Sequence, residues 1–251
     1  MEKGKRAQDL WQICEKRGFA AGEFLTPEER KDYEGAFRAL KKERSLLCFF
    51  TGGVHGAART LPVVLCPDYE GCAPEDFAEI TPLYITLTDG SVPEHRAVLG
   101  SLMALGLKRS VIGEIFKYEK GCVVMLKEQI VPYVCTELTR IGRAAVQIQK
   151  DFSLPTDFLL VYEKEELHHS VSSLRLDCIV SALTKVGREQ AADYIKKGFA
   201  NVNFEEVARP DKKLLPGDTL SLRGFGRYVL SEEEPKQTKS GRLHLTVFKY
   251  K

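Results

Sequence analysis

The pattern of residues 172–228 constrains the fold of this chain more than any other feature, because it predicts two consecutive short helices. The apolar residues of the first helix recur at the spacing of one helical face, at Leu176, Ile179, Val180 and Leu183. The second helix ends at Gly198, a residue type suited to the left-handed position after a helix. Its apolar positions are Ala191, Ala192 and Ile195.

A small sheet is predicted directly after these helices. Residues 199–203 alternate as a short strand, and the Pro216-Gly217-Asp218 turn leads into a second strand over 219–223. In such an arrangement the sheet holds the helices rigid while the helices present a cationic face. This combination is typical of a module that grips structured RNA.

Basic residues lie at the starts and ends of the predicted helices and on both sides of the Gly224-Phe225-Gly226 turn. Because phosphate contacts draw on arginine and lysine, we predict seven RNA-binding residues. They are Arg175, Lys185, Arg188, Lys196, Lys197, Arg223 and Arg227. The whole chain carries a net charge of only +2, so its affinity for RNA must come from this local patch. Asp177 is interpreted as a structural partner of an arginine or as a helix cap, not as a catalytic acid.

The order of residue types in this stretch resembles the S4 RNA-binding domain, which is found in a ribosomal protein of the small subunit and in many translation factors. The matching positions are Arg175-Leu176-Asp177, Arg188, Ala191, Ile195, Gly198, Val202-Asn203, Pro210 and Gly217-Asp218. Gly187 stands where that domain usually has a serine. The extension over 221–227 resembles the YlmH family of bacterial proteins, and so do the upstream segments 95–100, 105–109 and 112–115. Together these matches cover about the last two-thirds of the chain.

We predict an α+β protein with a small N-terminal α/β domain (1–78), a ferredoxin-like middle domain similar to RNA-recognition motifs (79–152), a linker (153–171) and an S4-type domain with a C-terminal strand extension (172–251). The middle domain is predicted from a strand, helix, strand, strand, helix, strand order. Its third strand, residues 122–126, lacks the aromatic residues that stack RNA bases in recognition motifs. We therefore interpret the middle domain as a scaffold that contacts protein or the ribosome, with RNA binding possible at its edges.

Other features favour a cytoplasmic protein without metal or cofactor. The chain lacks a run of about 18 apolar residues and begins with a charged segment, which predicts neither a membrane span nor a signal peptide. Its seven cysteines have no paired spacing, which favours free thiols in a reducing compartment. The loop at Gly52-Gly53 lacks the spacing of phosphate-binding loops and is interpreted as a turn.

The resemblance implies a non-enzymatic protein that binds the large ribosomal subunit through ribosomal RNA, transfer RNA or both, with no small-molecule substrate. It also implies a role in quality control of stalled translation and a secondary link to cell division. The alternatives are an RNA-modifying enzyme, such as a pseudouridine synthase, and a protein scaffold linked to cell division. Against the enzyme, residues 178–181 follow Arg-Leu-Asp where a pseudouridine synthase has Thr-Ser-Gly.

Overall fold

The computed structural model describes residues 2–41, 45–149, 151–238 and 241–250, which fold into separate sheets with flanking helices. The predicted α+β class is confirmed. The chain divides into two compact units, Met1–Leu160 and Val161–Lys251. The segments 1–78 and 79–152, predicted as separate domains, both fall within the first unit.

The first unit begins with two helices packed on a three-stranded sheet. Its elements are α1 (Glu2–Arg17), β1 (Phe19–Ala21), α2 (Pro27–Lys41), β2 (Leu47–Thr51) and β3 (Leu61–Leu65). Helix α2 begins with a reciprocal cap, in which the Thr26 N–H donates to the Glu29 carboxylate at 2.8 Å and the Glu29 N–H donates to the Thr26 hydroxyl at 3.2 Å. The two helices bury Trp11, Tyr33 and Phe37 in one cluster over the sheet.

The remainder of the first unit is an antiparallel sheet with two helices on one face. Its elements are β4 (Ile80–Leu87), α3 (His95–Ala104), β5 (Ile112–Tyr118), β6 (Gly121–Lys127), α4 (Val131–Glu137), β7 (Arg140–Ile141) and β8 (Ala144–Gln149). Short 3-10 turns flank them at Pro67–Tyr69, Pro74–Phe77, Arg109–Val111 and Glu128–Ile130. The strands are ordered β5-β6-β4-β8-β7. The observed element order is the predicted one, with the short β7 added before the closing strand.

Arg59 explains why the two halves of the first unit form one body. Its guanidinium group donates to the carbonyl oxygens of Phe24 at 3.1 Å, Arg109 at 3.1 Å and Ile112 at 3.2 Å. Its backbone N–H donates to the buried carboxylate of Glu114 at 2.6 Å. A residue that follows the Gly52-Gly53 loop therefore joins the N-terminal segment to the start of β5.

The second unit packs two helices against one face of a seven-stranded antiparallel sheet. Its elements are β9 (Lys164–Val171), α5 (Leu176–Thr184), α6 (Arg188–Lys196), β10 (Ala200–Val202), β11 (Glu205–Glu206), β12 (Thr219–Leu222), β13 (Gly226–Leu230), β14 (Lys236–Gln237) and β15 (Leu243–Tyr250). The main path runs β11-β10-β12-β13-β15-β14, and β9 pairs with the other edge of β15. The predicted apolar face of α5 is confirmed, since Leu176, Ile179 and Val180 are all buried in the core of this unit.

The predicted linker over 153–171 is wrong in its second half. Residues 164–171 form β9, which pairs with β15 along eight consecutive positions, from Lys164 opposite Tyr250 to Val171 opposite Leu243. The strand has a polar sequence because its outward side chains face solvent, whereas Leu167 and Val171 pack on the core. No helix in the described ranges is both long and apolar enough to cross a membrane.

Candidate nucleic-acid interface

The first candidate site is a junction of two arginines on one carboxylate, formed by Arg175, Asp177 and Arg188. Arg175 precedes the first residue of α5 and donates from Nε and Nη2 to the two carboxylate oxygens of Asp177, at 3.2 and 3.0 Å. Arg188, the first residue of α6, donates from Nε to Asp177 at 3.1 Å. The interpretation of Asp177 as a structural partner of arginine is confirmed.

Exposure differs sharply within this junction. The side chain of Asp177 is 6% exposed, whereas those of Arg175 and Arg188 are 41% and 55% exposed. Burial opposes ionisation of Asp177, but the hydrogen bonds from Arg175, Arg188 and Cys178 outweigh it and lower the pKa of the carboxyl from 3.8 to about 2. The junction therefore holds two outward cations on one inward anion and keeps a net positive charge.

A later segment of the chain, which returns beside the start of α5, brings further cations to this junction. Residues 210–214 run antiparallel to 174–177, because the Leu176 N–H donates to the Lys212 carbonyl and the Leu214 N–H donates to the Leu174 carbonyl, both at 2.8 Å. This returning segment places Arg209, Lys212 and Lys213 along a groove next to Arg175, where Arg209 donates to Asp211 at 3.2 Å. These three residues were not among the seven predicted from the sequence. The charged run after Pro210, a position already matched to the S4 domain, was the available signal.

Lys185 occupies the turn between α5 and α6. Its backbone lies in the left-handed region, at φ 59° and ψ 28°, and closes the C-terminal end of α5. The Ser181 hydroxyl donates to the carbonyl of Val186 at 2.7 Å, which fixes the turn that leads to Arg188. The structure thus places Lys185 in the turn immediately before the second arginine of the junction.

Lys196, Lys197 and Arg223 belong to the opposite end of α6. Lys196 is the last residue of that helix, and Lys197 caps it. The guanidinium carbon of Arg223 lies 5.1 Å from the ring centre of Phe199, and the Tyr194 hydroxyl donates to the Arg223 carbonyl. These cations form a second basic region beside aromatic rings.

Arg227 stands apart from the other six predicted residues. It lies on β13 next to Tyr228, whose side chain is buried in the core beneath the helices. Since neighbouring residues of a strand point to opposite faces, Arg227 lies on the face of the sheet that the helices do not cover. The seven predicted residues therefore occupy three places rather than one.

The sheet that contains β4, β5 and β6 carries aromatic rings on strands other than the one considered in the sequence. Its third strand indeed lacks aromatic residues, but Tyr84, Phe116 and Tyr118 supply rings to the face opposite α3 and α4. Phe152 stacks on Tyr84 with ring centres 5.1 Å apart, and Phe158 stacks on Phe116 at 5.6 Å. Rings of the following segment thus occupy the positions where bases would stack.

Comparison with known proteins identifies the family. A family model described as "Putative RNA-binding domain in YlmH" matches residues 91–153. The chain is 31% identical over 229 residues to "Ribosome-associated protein quality control protein P2" from Bacillus subtilis (strain 168), a match that covers 89% of this chain and 84% of that protein. The solved structure of "Cell division protein ylmH from Streptococcus pneumoniae" matches with a TM-score of 0.48 and 21% identity, over 59% of this chain and 88% of that one. From the match to the Bacillus protein across most of both sequences, together with the family model, we conclude that this chain belongs to the YlmH family.

Proposed function

We propose that this protein binds RNA on the ribosome and that its second unit is an S4-type RNA-binding module. The observation that carries the proposal is the junction in which Arg175 and Arg188 converge on Asp177 while much of each guanidinium side chain stays exposed. Among the described residues, the hydrogen bond from Arg188 to Asp177 involves only Nε. The two terminal nitrogens of Arg188 can therefore donate to a phosphate. The name of the Bacillus relative and the description of the family model support an RNA partner and a ribosomal one.

In this proposal the partner is the large ribosomal subunit, contacted through ribosomal RNA, transfer RNA or both, during rescue or quality control of stalled translation. The protein acts in the cytoplasm by binding and not by catalysis, and it needs no cofactor. Arg175 and Arg188 hold the RNA backbone. Further contacts come from the other predicted cations, which are Lys185, Lys196, Lys197, Arg223 and Arg227.

The test must remove the two cations without leaving a buried charge unpaired, because an uncompensated Asp177 would itself destabilise the fold. The triple variant Arg175→Gln/Asp177→Asn/Arg188→Gln meets this requirement, since it replaces all three charges with amides. We expect it to bind purified large subunits more than about tenfold more weakly, since each lost charged hydrogen bond to phosphate is worth about 1.5–3 kcal/mol. Affinity is measured by co-sedimentation at two salt concentrations, and folding by the melting temperature.

Two controls separate charge from structure. Asp177→Asn alone removes the internal anion and keeps both arginines, so it should bind at least as tightly as the natural protein despite a lower melting temperature. Lys5→Gln/Lys16→Gln removes two exposed cations of α1, outside residues 91–153 that match the RNA-binding family model, and should leave affinity nearly unchanged. A folded triple variant with the affinity of the natural protein would overturn the assignment of this junction to RNA.

A further inference from the structure

Four side chains form a row of alternating cations and rings across the sheet of the second unit. The row consists of Lys164 on β9, Tyr250 on β15, Arg227 on β13 and Phe204 in the turn after β10. The Lys164 Nζ lies 5.1 Å from the centre of the Tyr250 ring, and the guanidinium carbon of Arg227 lies 5.9 Å from that ring and 5.3 Å from the Phe204 ring. We call this set the outer-face row.

Strand register places the row on the face opposite the helices. Lys164 pairs directly with Tyr250, and directly paired residues of antiparallel strands share a face. Leu245 and Val247 of β15 point into the core under α5 and α6. Because side chains alternate between the two faces of a strand, Tyr250 points to the other face. Arg227 lies on this outer face for the same reason.

The row is partly open to solvent and positively charged. Lys164 is exposed, and Tyr250, Arg227 and Phe204 are partly exposed. Glu166 lies on the same face, 3.7 Å from an imidazole nitrogen of His168, and Glu206 shares this face through its register with Asn201, Ser221 and Arg227. The row itself contributes two cations, Lys164 and Arg227, and its other two members are aromatic rings, which suits a partner that presents both phosphates and bases.

The backbone at Phe204 indicates that its ring is held in place. Phe204 has φ 69°, in the left-handed region that bulky residues rarely adopt. Asn203 before it, at φ 52°, donates from its side-chain amide to Asp218 at 2.7 Å, and its side-chain oxygen accepts from the Thr219 N–H at 2.9 Å. These two bonds anchor the turn, so the ring of Phe204 stays beside Arg227.

We propose that the outer-face row binds unstacked bases of single-stranded RNA. Aromatic rings interleaved with cations are the arrangement by which proteins hold such strands, because the rings stack on bases while the cations contact the backbone. The inference rests on the proposed RNA-binding function and adds a second contact surface to it, on the sheet face away from the helices. Of the four residues, only Arg227 was selected from the sequence.

The test uses the full chain and a fluorescent single-stranded RNA of about eight nucleotides, within the range of strand lengths that such surfaces cover. Tyr250→Leu removes the central ring but keeps an apolar side chain, and Arg227→Gln removes the central cation. Each change should weaken binding of this probe about tenfold or more, measured by fluorescence anisotropy. Binding of a duplex RNA of equal length should change much less, because its bases are already stacked. Photocrosslinking of a thiouridine probe to the natural protein should label the peptide that contains Tyr250.

Phe49→Leu is the matched control, because Phe49 is an exposed ring of the first unit that lies outside the row and outside residues 91–153. Its affinity for the probe should equal that of the natural protein. Unchanged probe affinity in folded Tyr250→Leu and Arg227→Gln variants, or crosslinks confined to other peptides, would overturn the row as a binding surface. Loss of large-subunit binding in the Arg175→Gln/Asp177→Asn/Arg188→Gln variant would still support the proposed function in that case, so the two failures are distinguishable.

Discussion

At Asp177 one buried carboxylate positions two arginines that belong to different helices. The alanine variants that a surface arginine would normally tolerate are therefore poor probes here, since removal of either cation weakens the pairing of a buried anion. The same geometry lowers the pKa of the Asp177 carboxyl group. Its pKa in the folded protein, about 2, lies below the ordinary value of 3.8.

This depressed pKa predicts a pH-dependent contribution to stability. The contribution of Asp177 is fully present above about pH 5 and is lost as the pH falls through the pKa of about 2. The difference in unfolding free energy between the natural protein and Asp177→Asn should therefore shrink by about 1 kcal/mol between about pH 5 and pH 3. Urea unfolding of both proteins across this range measures it. A constant difference would show that the arginines do not favour the ionised form.

Among the elements of the first unit, the guanidinium group of Arg59 connects segments that lie far apart in the sequence. It donates to three backbone carbonyls from two segments of the chain, Phe24 in one and Arg109 and Ile112 in the other. Arg59→Ala should lower the unfolding free energy by about 3 kcal/mol, because these carbonyls lose a charged donor. Arg59→Lys should recover only part of this loss, since one ammonium group lacks the planar fork of the guanidinium.

Urea unfolding of these variants provides the measurement, with Arg38→Ala as the control. Arg38 is an exposed arginine on α2, so its removal should change stability by less than about 0.5 kcal/mol. An Arg59→Ala variant as stable as Arg38→Ala would show that water replaces the guanidinium group without loss.

Elements with local signals could be predicted from the sequence, and elements that depend on distant partners could not. The helices α5 and α6 follow from apolar spacing and from Gly198, all within one short stretch. Strand β9 has a charged sequence without a local strand signal, and its strand conformation depends on pairing with β15, which lies far along the chain. The same reason applies to the candidate sites. Arg175 and Arg188 stand close in sequence, whereas Lys212 and Tyr250 meet their neighbours only after distant segments of the chain have paired.

For the whole molecule, the division into two units predicts which fragments fold. In the part of the chain that the structure describes, the core of the second unit is built from residues between Val171 and Val247, with Leu167 packed against it. A fragment of residues 161–251 should therefore unfold cooperatively in urea. A fragment of residues 172–251, with the boundary that the sequence suggested, lacks β9 and leaves one edge of β15 unpaired.

Circular dichroism and urea titration of the two fragments test this expectation. The longer fragment should show a single transition, and the shorter one should be markedly less stable and prone to association through its open strand edge. Equal stability of the two fragments would mean that β9 adds nothing to the unit.

The pairing of β9 with β15 also has a consequence for how the second unit is connected. The first and last strands of this unit lie side by side, with Lys164 opposite Tyr250. A circular permutant that joins these two ends by a short linker and opens the chain in the polar loop around residue 233 would keep every strand pair. In this permutant the pairing of β9 with β15, whose residues are the furthest apart in sequence among the strand pairs described in this unit, would become a local hairpin. Since folding slows as contacting residues become more distant in sequence, the permutant should fold faster while the native sheet is retained.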